Sequence, residues 1–184
     1  MRITGGSLRG RRVKVPGGII RPSMDRMRES VFAVLGNLGN LSFLDIFSGT
    51  GIIALEAASR GARPVEAVEM DTGKRGVLLE NVSISPCAIR CRFMPAELYI
   101  KRAKVSFDCI FCDPPFPYRY KWELARDIAA SPLMKEGSRL VIHRPREDPP
   151  GAIPLLVPQD HREYGRSTVD FFVCQKKRGE PGQR

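Results

Sequence analysis

Phe43-Leu44-Asp45-Ile46-Phe47-Ser48-Gly49-Thr50-Gly51-Ile52-Ile53-Ala54-Leu55-Glu56-Ala57-Ala58 reads as three pieces in succession. Phe43 to Phe47 is short and apolar enough for a buried strand. Ser48 to Gly51 is a turn, and the apolar positions from Ile52 onward suit a helix closed by Gly61. Glycines at 49 and 51 permit a tight bend and close approach of a ligand to the backbone. Free N–H groups at a helix start favour an anionic group, so a nucleotide-type cofactor is expected here.

Working outward, Pro64-Val65-Glu66-Ala67-Val68-Glu69 is a second strand. In a doubly wound sheet its terminal carboxylate falls beside the glycine turn, where it can accept both hydroxyls of a ribose. The rhythm continues with a helix over 73 to 84, a strand over 89 to 93, a short helix over 96 to 103, a helix over 121 to 131 and a strand over 138 to 143. Such alternation implies parallel βαβ units. Residues 153 to 175 contain the strand-like Thr168-Val169-Asp170-Phe171-Phe172-Val173-Cys174 with no helix before it, which predicts an antiparallel closing pair.

Between these pieces stands Asp113-Pro114-Pro115-Phe116, at the end of the apolar run Phe107 to Cys112. Two prolines fix φ, remove two N–H donors and hold the preceding residues extended, leaving a corner that shows mainly acceptors. The Asp113 carboxylate and the Pro114 carbonyl suit the two hydrogens of one –NH2 group, and Phe116 suits the face of the ring carrying it. Stacking of an unstacked base on an aromatic ring contributes about 1–3 kcal/mol. A plain strand-ending turn is the alternative reading of the tetrapeptide alone. Gly49, Gly51 and Ala54 also fit the dinucleotide pattern, with an acidic residue about 20 positions on. The position of Asp45 inside the first strand and the Asp-Pro-Pro-Phe corner favour S-adenosylmethionine over a nicotinamide.

At 184 residues the chain suits one α/β domain with a small appendage. No run of about 18 apolar residues appears and the first 20 residues have no signal-like core, so a cytoplasmic protein is expected. The five cysteines read as small core residues. Cys109 and Cys112 point to opposite faces of their strand, Cys87 and Cys91 flank the third strand, and only His143 and His161 are available as histidines, so no metal is expected.

The net charge is +10. Much of it lies at the amino end, where Arg2, Arg9, Arg11, Arg12, Lys14, Arg21, Arg26 and Arg28 face a single acid, Asp25. An ordered surface of this kind neutralises phosphates; the bland alternative is a solvated arm. Residues 2 to 15 alternate basic and apolar side chains around glycines, which predicts a hairpin with one cationic face. Pro16-Gly17-Gly18 ends it. A helix is then expected from an N-cap at Ser23, burying Met24, Met27, Val31, Val34 and Leu35.

Taken together, Arg2 to Gly6 with Arg9-Gly10-Arg11, Arg21 to Phe32, Asp45 to Gly51, Glu69-Met70-Asp71 and Asp113 to Phe116 resemble the RsmD family of bacterial 16S rRNA guanine-N2 methyltransferases. The resemblance covers nearly the whole chain. It implies an α/β fold of the Rossmann-like class I methyltransferase type, with a seven-stranded, mostly parallel sheet and an antiparallel edge. A hairpin and helix extension would occupy 1–40, the methyltransferase domain 41–178 and a frayed tail 179–184. S-adenosylmethionine would be the donor, leaving as S-adenosylhomocysteine. The acceptor would be a guanine of 16S rRNA, free or in an assembling 30S subunit, acted on by a monomer. By the same resemblance Asp45, Phe47, Ser48, Gly49, Gly51, Glu69 and Met70 line the donor, and Ala96 or Glu97 meets its adenine. Asp113 and Pro114 orient the amine, and Phe116 stacks on a flipped-out base. Arg21 and Ser23 lie near the entrance, and Arg9, Arg11, Arg12, Lys14, Arg21, Arg26 and Arg28 contact RNA.

Two positions depart from the family pattern. Pro95 stands where a small polar or acidic residue usually meets the adenine, and His143 stands where an acid is common. His143 is read as a local surface variant in preference to a base contact. Adenine-N6 nucleic-acid methylation, glutamine-N5 protein methylation and a non-enzymatic RNA-binding assembly role are the competing readings.

Overall fold

Phe43–Ile46 forms the first strand, β1, and the sheet grows from it in both directions. This computed structural model describes residues 1–15 and 22–176, with the backbone alone at 22–24. Arg21, the side chains of Ser23 and Met24, the Pro16-Gly17-Gly18 break and the tail at 179–184 lie outside the described residues.

On one side β1 pairs in parallel with β2, Val65–Glu69, and beyond it lies β3, Ile89–Phe93. On the other side come β4, Cys109–Cys112, and β5, Arg139–Pro145, also parallel. The edge is an antiparallel hairpin of β6, Leu156–Tyr164, and β7, Ser167–Cys174, with β7 inserted against β5. The order β3-β2-β1-β4-β5-β7-β6 is that of a Rossmann-like methyltransferase sheet. After β3 the chain crosses to the far side of β1, so the loops leaving β1 and β4 part and open a crevice between neighbouring strand ends.

Helices cover both faces. α1, Pro22–Leu35, and α2, Ile52–Ser59, share one apolar cluster with Phe43, Val65, Cys109 and Phe111. α4, Ala96–Lys101, and α5, Lys121–Ala130, share the other with Leu44, Ile46, Ile110 and Cys112. The period of two along β4 sends Cys109 and Cys112 into different clusters, as their spacing requires. Burying each large apolar side chain of these clusters, such as Leu44 or Phe111, contributes about 1.5–3 kcal/mol. Cys87 and Cys91 are only half-buried, and Cys91 lies inside β3 rather than beside it. α3, Arg75–Val82, is shorter than expected because a 3-10 turn at Thr72–Lys74, capped by the Asp71 carboxylate, takes up its first residues.

The amino-terminal hairpin is reduced to one antiparallel bridge, Arg2 to Arg12, around a 3-10 turn at Gly6–Leu8. Backbone bonds from Ile3 N–H to the Arg11 carbonyl at 2.9 Å, from Gly10 N–H to the Ile3 carbonyl at 2.8 Å and from Val13 N–H to the Met1 carbonyl at 3.0 Å still close the two arms, and other groups reach α2. Thr4 N–H donates to Glu56 Oε1 at 2.7 Å, Leu8 N–H donates to the Ser59 hydroxyl at 2.8 Å, and that hydroxyl donates to the Gly5 carbonyl at 2.6 Å. Gly6 has φ +74°, and a Cβ there would stand 2.0 Å from the Ser59 carbonyl oxygen, so only glycine lets the arm lie this close. Ile3 and Val13 enter the same core cluster as the sheet.

Candidate functional site

The register Ile46 to Cys112 places the residues that follow β1 and β4 side by side, and Asp113 N–H donates to the Ile46 carbonyl at 3.2 Å. A cavity of about 810 Å³ opens there. Phe47, Glu69, the whole Asp113-Pro114-Pro115-Phe116 corner, His143 and the β6–β7 turn, Tyr164 to Ser167, line it. The expected ligand-facing carboxylate and the proline corner therefore share one hollow.

Glu69 is only 6% exposed. Its Oε2 accepts from Gly49 N–H at 2.7 Å and its Oε1 from Asp71 N–H at 2.8 Å. Each oxygen keeps a second lone pair, so the carboxylate is fixed in place and still has acceptor capacity. Asp45, Ser48, Gly49 and Gly51 shape the turn from behind. The Asp45 carboxylate accepts from the Ser48 hydroxyl at 2.7 Å and from Ala54 N–H at 3.1 Å. Its other oxygen is buried without a partner among the described residues. Burial pushes the Asp45 carboxyl up to about 7, against the lowering effect of the two hydrogen bonds.

Gly51 has φ +78°, and a Cβ would approach Leu78 Cδ1 to 2.6 Å and Val82 Cγ1 to 3.1 Å. Gly51→Ala is expected to lower unfolding stability by about 2–4 kcal/mol through backbone strain and overpacking against α3. Urea unfolding measures it, and an unchanged midpoint would show that α3 yields.

Other expected residues fall elsewhere. Met70 is 61% exposed, Ala96 is buried at the start of α4, and Glu97 accepts from the Tyr118 hydroxyl at 2.5 Å. Tyr118 packs edge-on against Phe47, with ring centroids 5.5 Å apart, and joins the loops after β1, β3 and β4. Of the basic residues, Arg9, Arg11, Arg12, Lys14 and Arg26 are exposed. Arg28 is not. It is 1% exposed and held by Asp25, Glu56 and the Arg2 carbonyl, so its charge is consumed inside the fold.

His143 is likewise no surface variant: it is 7% exposed and its Nδ1 lies 2.8 Å from Asp113 Oδ1. The pairing of Cys112 with Ile142 makes Asp113 and His143 neighbours, a signal available once strand order is known. Sequence reasoning also missed Glu56. It reads as one polar residue in an apolar helix, yet it is fully buried beneath Thr4, Arg28 and Arg60.

A family model described as Conserved hypothetical protein 95 matches residues 1–173. The chain belongs to that family. Among curated relatives, it is 34% identical over 119 residues to the ribosomal RNA small subunit methyltransferase D of Escherichia coli, spanning 63% of this chain and 60% of that protein. It is 39% identical over 77 residues to a tRNA1(Val) (adenine(37)-N6)-methyltransferase of Erwinia tasmaniensis, covering 40% of this chain and 31% of the relative. The solved structure of yhhF from Escherichia coli, named as a methyltransferase, superposes with a TM-score of 0.86 at 25% identity, covering 96% and 99% of the two chains.

Proposed function

We propose that the chain transfers a methyl group from S-adenosylmethionine to the exocyclic N2 amine of a guanine in 16S rRNA. The observation that carries this reading is the one cavity that Glu69 and Asp113 to Phe116 line together. When bound, the donor supplies an electrophilic methyl group on a sulfonium.

The residues do the rest. Glu69 accepts the ribose hydroxyls, and the turn from Ser48 to Gly51 brings backbone against the methionine portion. Asp113 and the Pro114 carbonyl hold the amine's hydrogens so that its lone pair faces the methyl carbon. Phe116, 45% exposed, offers its ring to the flipped-out base. No strong base is needed, because the nitrogen sheds its proton after it has become cationic. Residues 1–40 act as a substrate-side extension of the donor-binding domain at 41–178. Arg9, Arg11, Arg12, Lys14 and Arg26 meet phosphate from that side. The protein works as a cytoplasmic monomer on rRNA, free or within an assembling subunit.

Glu69→Gln replaces an acceptor-only group by one that turns an NH2 toward the N–H of Gly49 or Asp71. Donor affinity is expected to fall about 10–100-fold, as for loss of hydrogen bonds to a charged group. Calorimetric titration with S-adenosylmethionine reads it.

The acceptor is tested by mapping modified guanines in rRNA from cells lacking the protein. One missing N2-methylguanine is the expected result, and a full set refutes the assignment. The adenine-N6 reading is supported by the alignments with tRNA adenine methyltransferases, which cover 40% and 65% of this chain. A labelled-donor assay on total RNA, with digestion to nucleosides, separates N2-methylguanosine from N6-methyladenosine.

A further inference from the structure

We infer that His143 is the positioning residue for Asp113: its Nδ1–H holds Asp113 Oδ1 and leaves the other carboxylate oxygen facing the target amine. The inference rests on the methyl-transfer reading above and adds to it a residue from β5. A carboxylate only accepts, so the 2.8 Å contact between Nδ1 and Oδ1 puts the hydrogen on Nδ1. Asp113 has 29% of its side chain exposed, whereas the histidine side chain has 9%, so the better-packed ring is the anchor and the more exposed carboxylate the group it orients.

Three further features agree. The Phe116 ring packs edge-on against the imidazole, with centroids 5.6 Å apart and planes at 63°. One ring thus touches both the amine-orienting carboxylate and the base-stacking aromatic. Among the described residues His143 Nε2 is buried with no hydrogen-bond partner, so the ring bears a desolvation cost that an apolar residue would avoid, and its polar contact there is Asp113. The backbone under it is stiff, because β5 is paired along its full length with β7, His143 opposite Val169. A carboxylate carried on a proline corner, which has few N–H groups to hold it, is oriented from the adjacent strand.

The test compares His143→Ala, His143→Asn and His143→Gln with the unaltered protein. Transfer from labelled S-adenosylmethionine is followed on rRNA from cells lacking the protein, with calorimetry for the donor. An asparagine amide can occupy the place of Nδ1, and a glutamine amide that of Nε2. In the alanine and glutamine variants kcat is expected to fall about 100-fold, the scale of a misplaced reacting group, with donor affinity and the KM for RNA within about threefold. The asparagine variant is expected to recover to within about fivefold of the unaltered protein.

An alanine variant that keeps kcat within about twofold, or an asparagine variant as slow as the glutamine one, overturns the inference. Should alanine fail to fold, the asparagine and glutamine pair decides. Loss confined to KM also overturns it, since that marks ordinary RNA binding. If the unaltered protein moves no methyl group to rRNA, the functional reading itself is wrong and this inference falls with it. Normal turnover with an indifferent His143 refutes the inference alone.

Discussion

Asp113→Ala is expected to reduce methyl transfer by about 10³-fold or more while leaving S-adenosylmethionine affinity within about threefold. The separation follows from where the residue sits. Glu69 and the glycine turn belong to β2, β1 and their loops, whereas Asp113 stands at the tip of β4 and lines the same cavity. Alanine removes the acceptor that fixes one amine hydrogen and leaves only the Pro114 carbonyl. The amine then rotates, and its lone pair meets the methyl carbon in a small fraction of encounters. A fall in kcat and in kcat/KM together, with an unchanged donor isotherm, is the signature of an interaction made at the reacting atoms. Asp113→Asn retains one acceptor oxygen and should lie between. An alanine variant that turns over within about tenfold of the unaltered protein would remove Asp113 from the chemistry.

Glu56→Ala is expected to be the most destabilising single change in the amino-terminal half. The carboxylate is wholly buried between Arg28 and Arg60, and also accepts from Thr4 N–H. Removing it leaves two guanidinium groups without their shared anion, one of them only 1% exposed. Breaking a buried pair in this way costs about 3–5 kcal/mol, which for a domain of this size is a fall in Tm of about 10 °C. Because α2 begins where the glycine turn ends, the arm and the turn should loosen together. Amide exchange at Thr4 and Gly10 is expected to speed up with that at Gly49. A Tm within about 2 °C of the unaltered protein would show that the arginines find other partners.

The arm reaches the glycine turn by a second route. Asn81 of α3 is 4% exposed; it accepts from Lys14 N–H at 2.8 Å and donates to the carbonyls of Lys14 and Thr50, both at 2.9 Å. Lys14 itself pairs with Glu80. So Arg9, Arg11, Arg12 and Lys14 sit on a segment whose backbone is tied to α2 and α3, the helices around the glycine turn.

Some of this molecule is written along the chain. Phe43–Ile46 is a run of four buried residues ending at glycines, and Ile89–Phe93 and Lys121–Ala130 are bounded by the turn residues that frame them, so strands and helices follow from local periodicity. Asp113 to Phe116 announces an acceptor-rich corner because proline acts on its own φ and on its neighbour, a purely local effect.

The fates of Arg28, Glu56 and His143 are not local. Each is a charged or titratable residue with a partner 26 or more positions away, beyond the local ion pairs of Arg28 with Asp25 and of Glu56 with Arg60. On an isolated helix Arg28 would be surface charge, but packing α1 against α2 brings Glu56 beneath it. Sequence alone determined which strand tips end in a glycine turn or a proline corner, because backbone geometry and glycine or proline punctuation act over a few residues. Tertiary structure alone decided which polar groups face the cavity and which are consumed inside the fold, because a buried charge is placed by the partner that desolvation forces it to find.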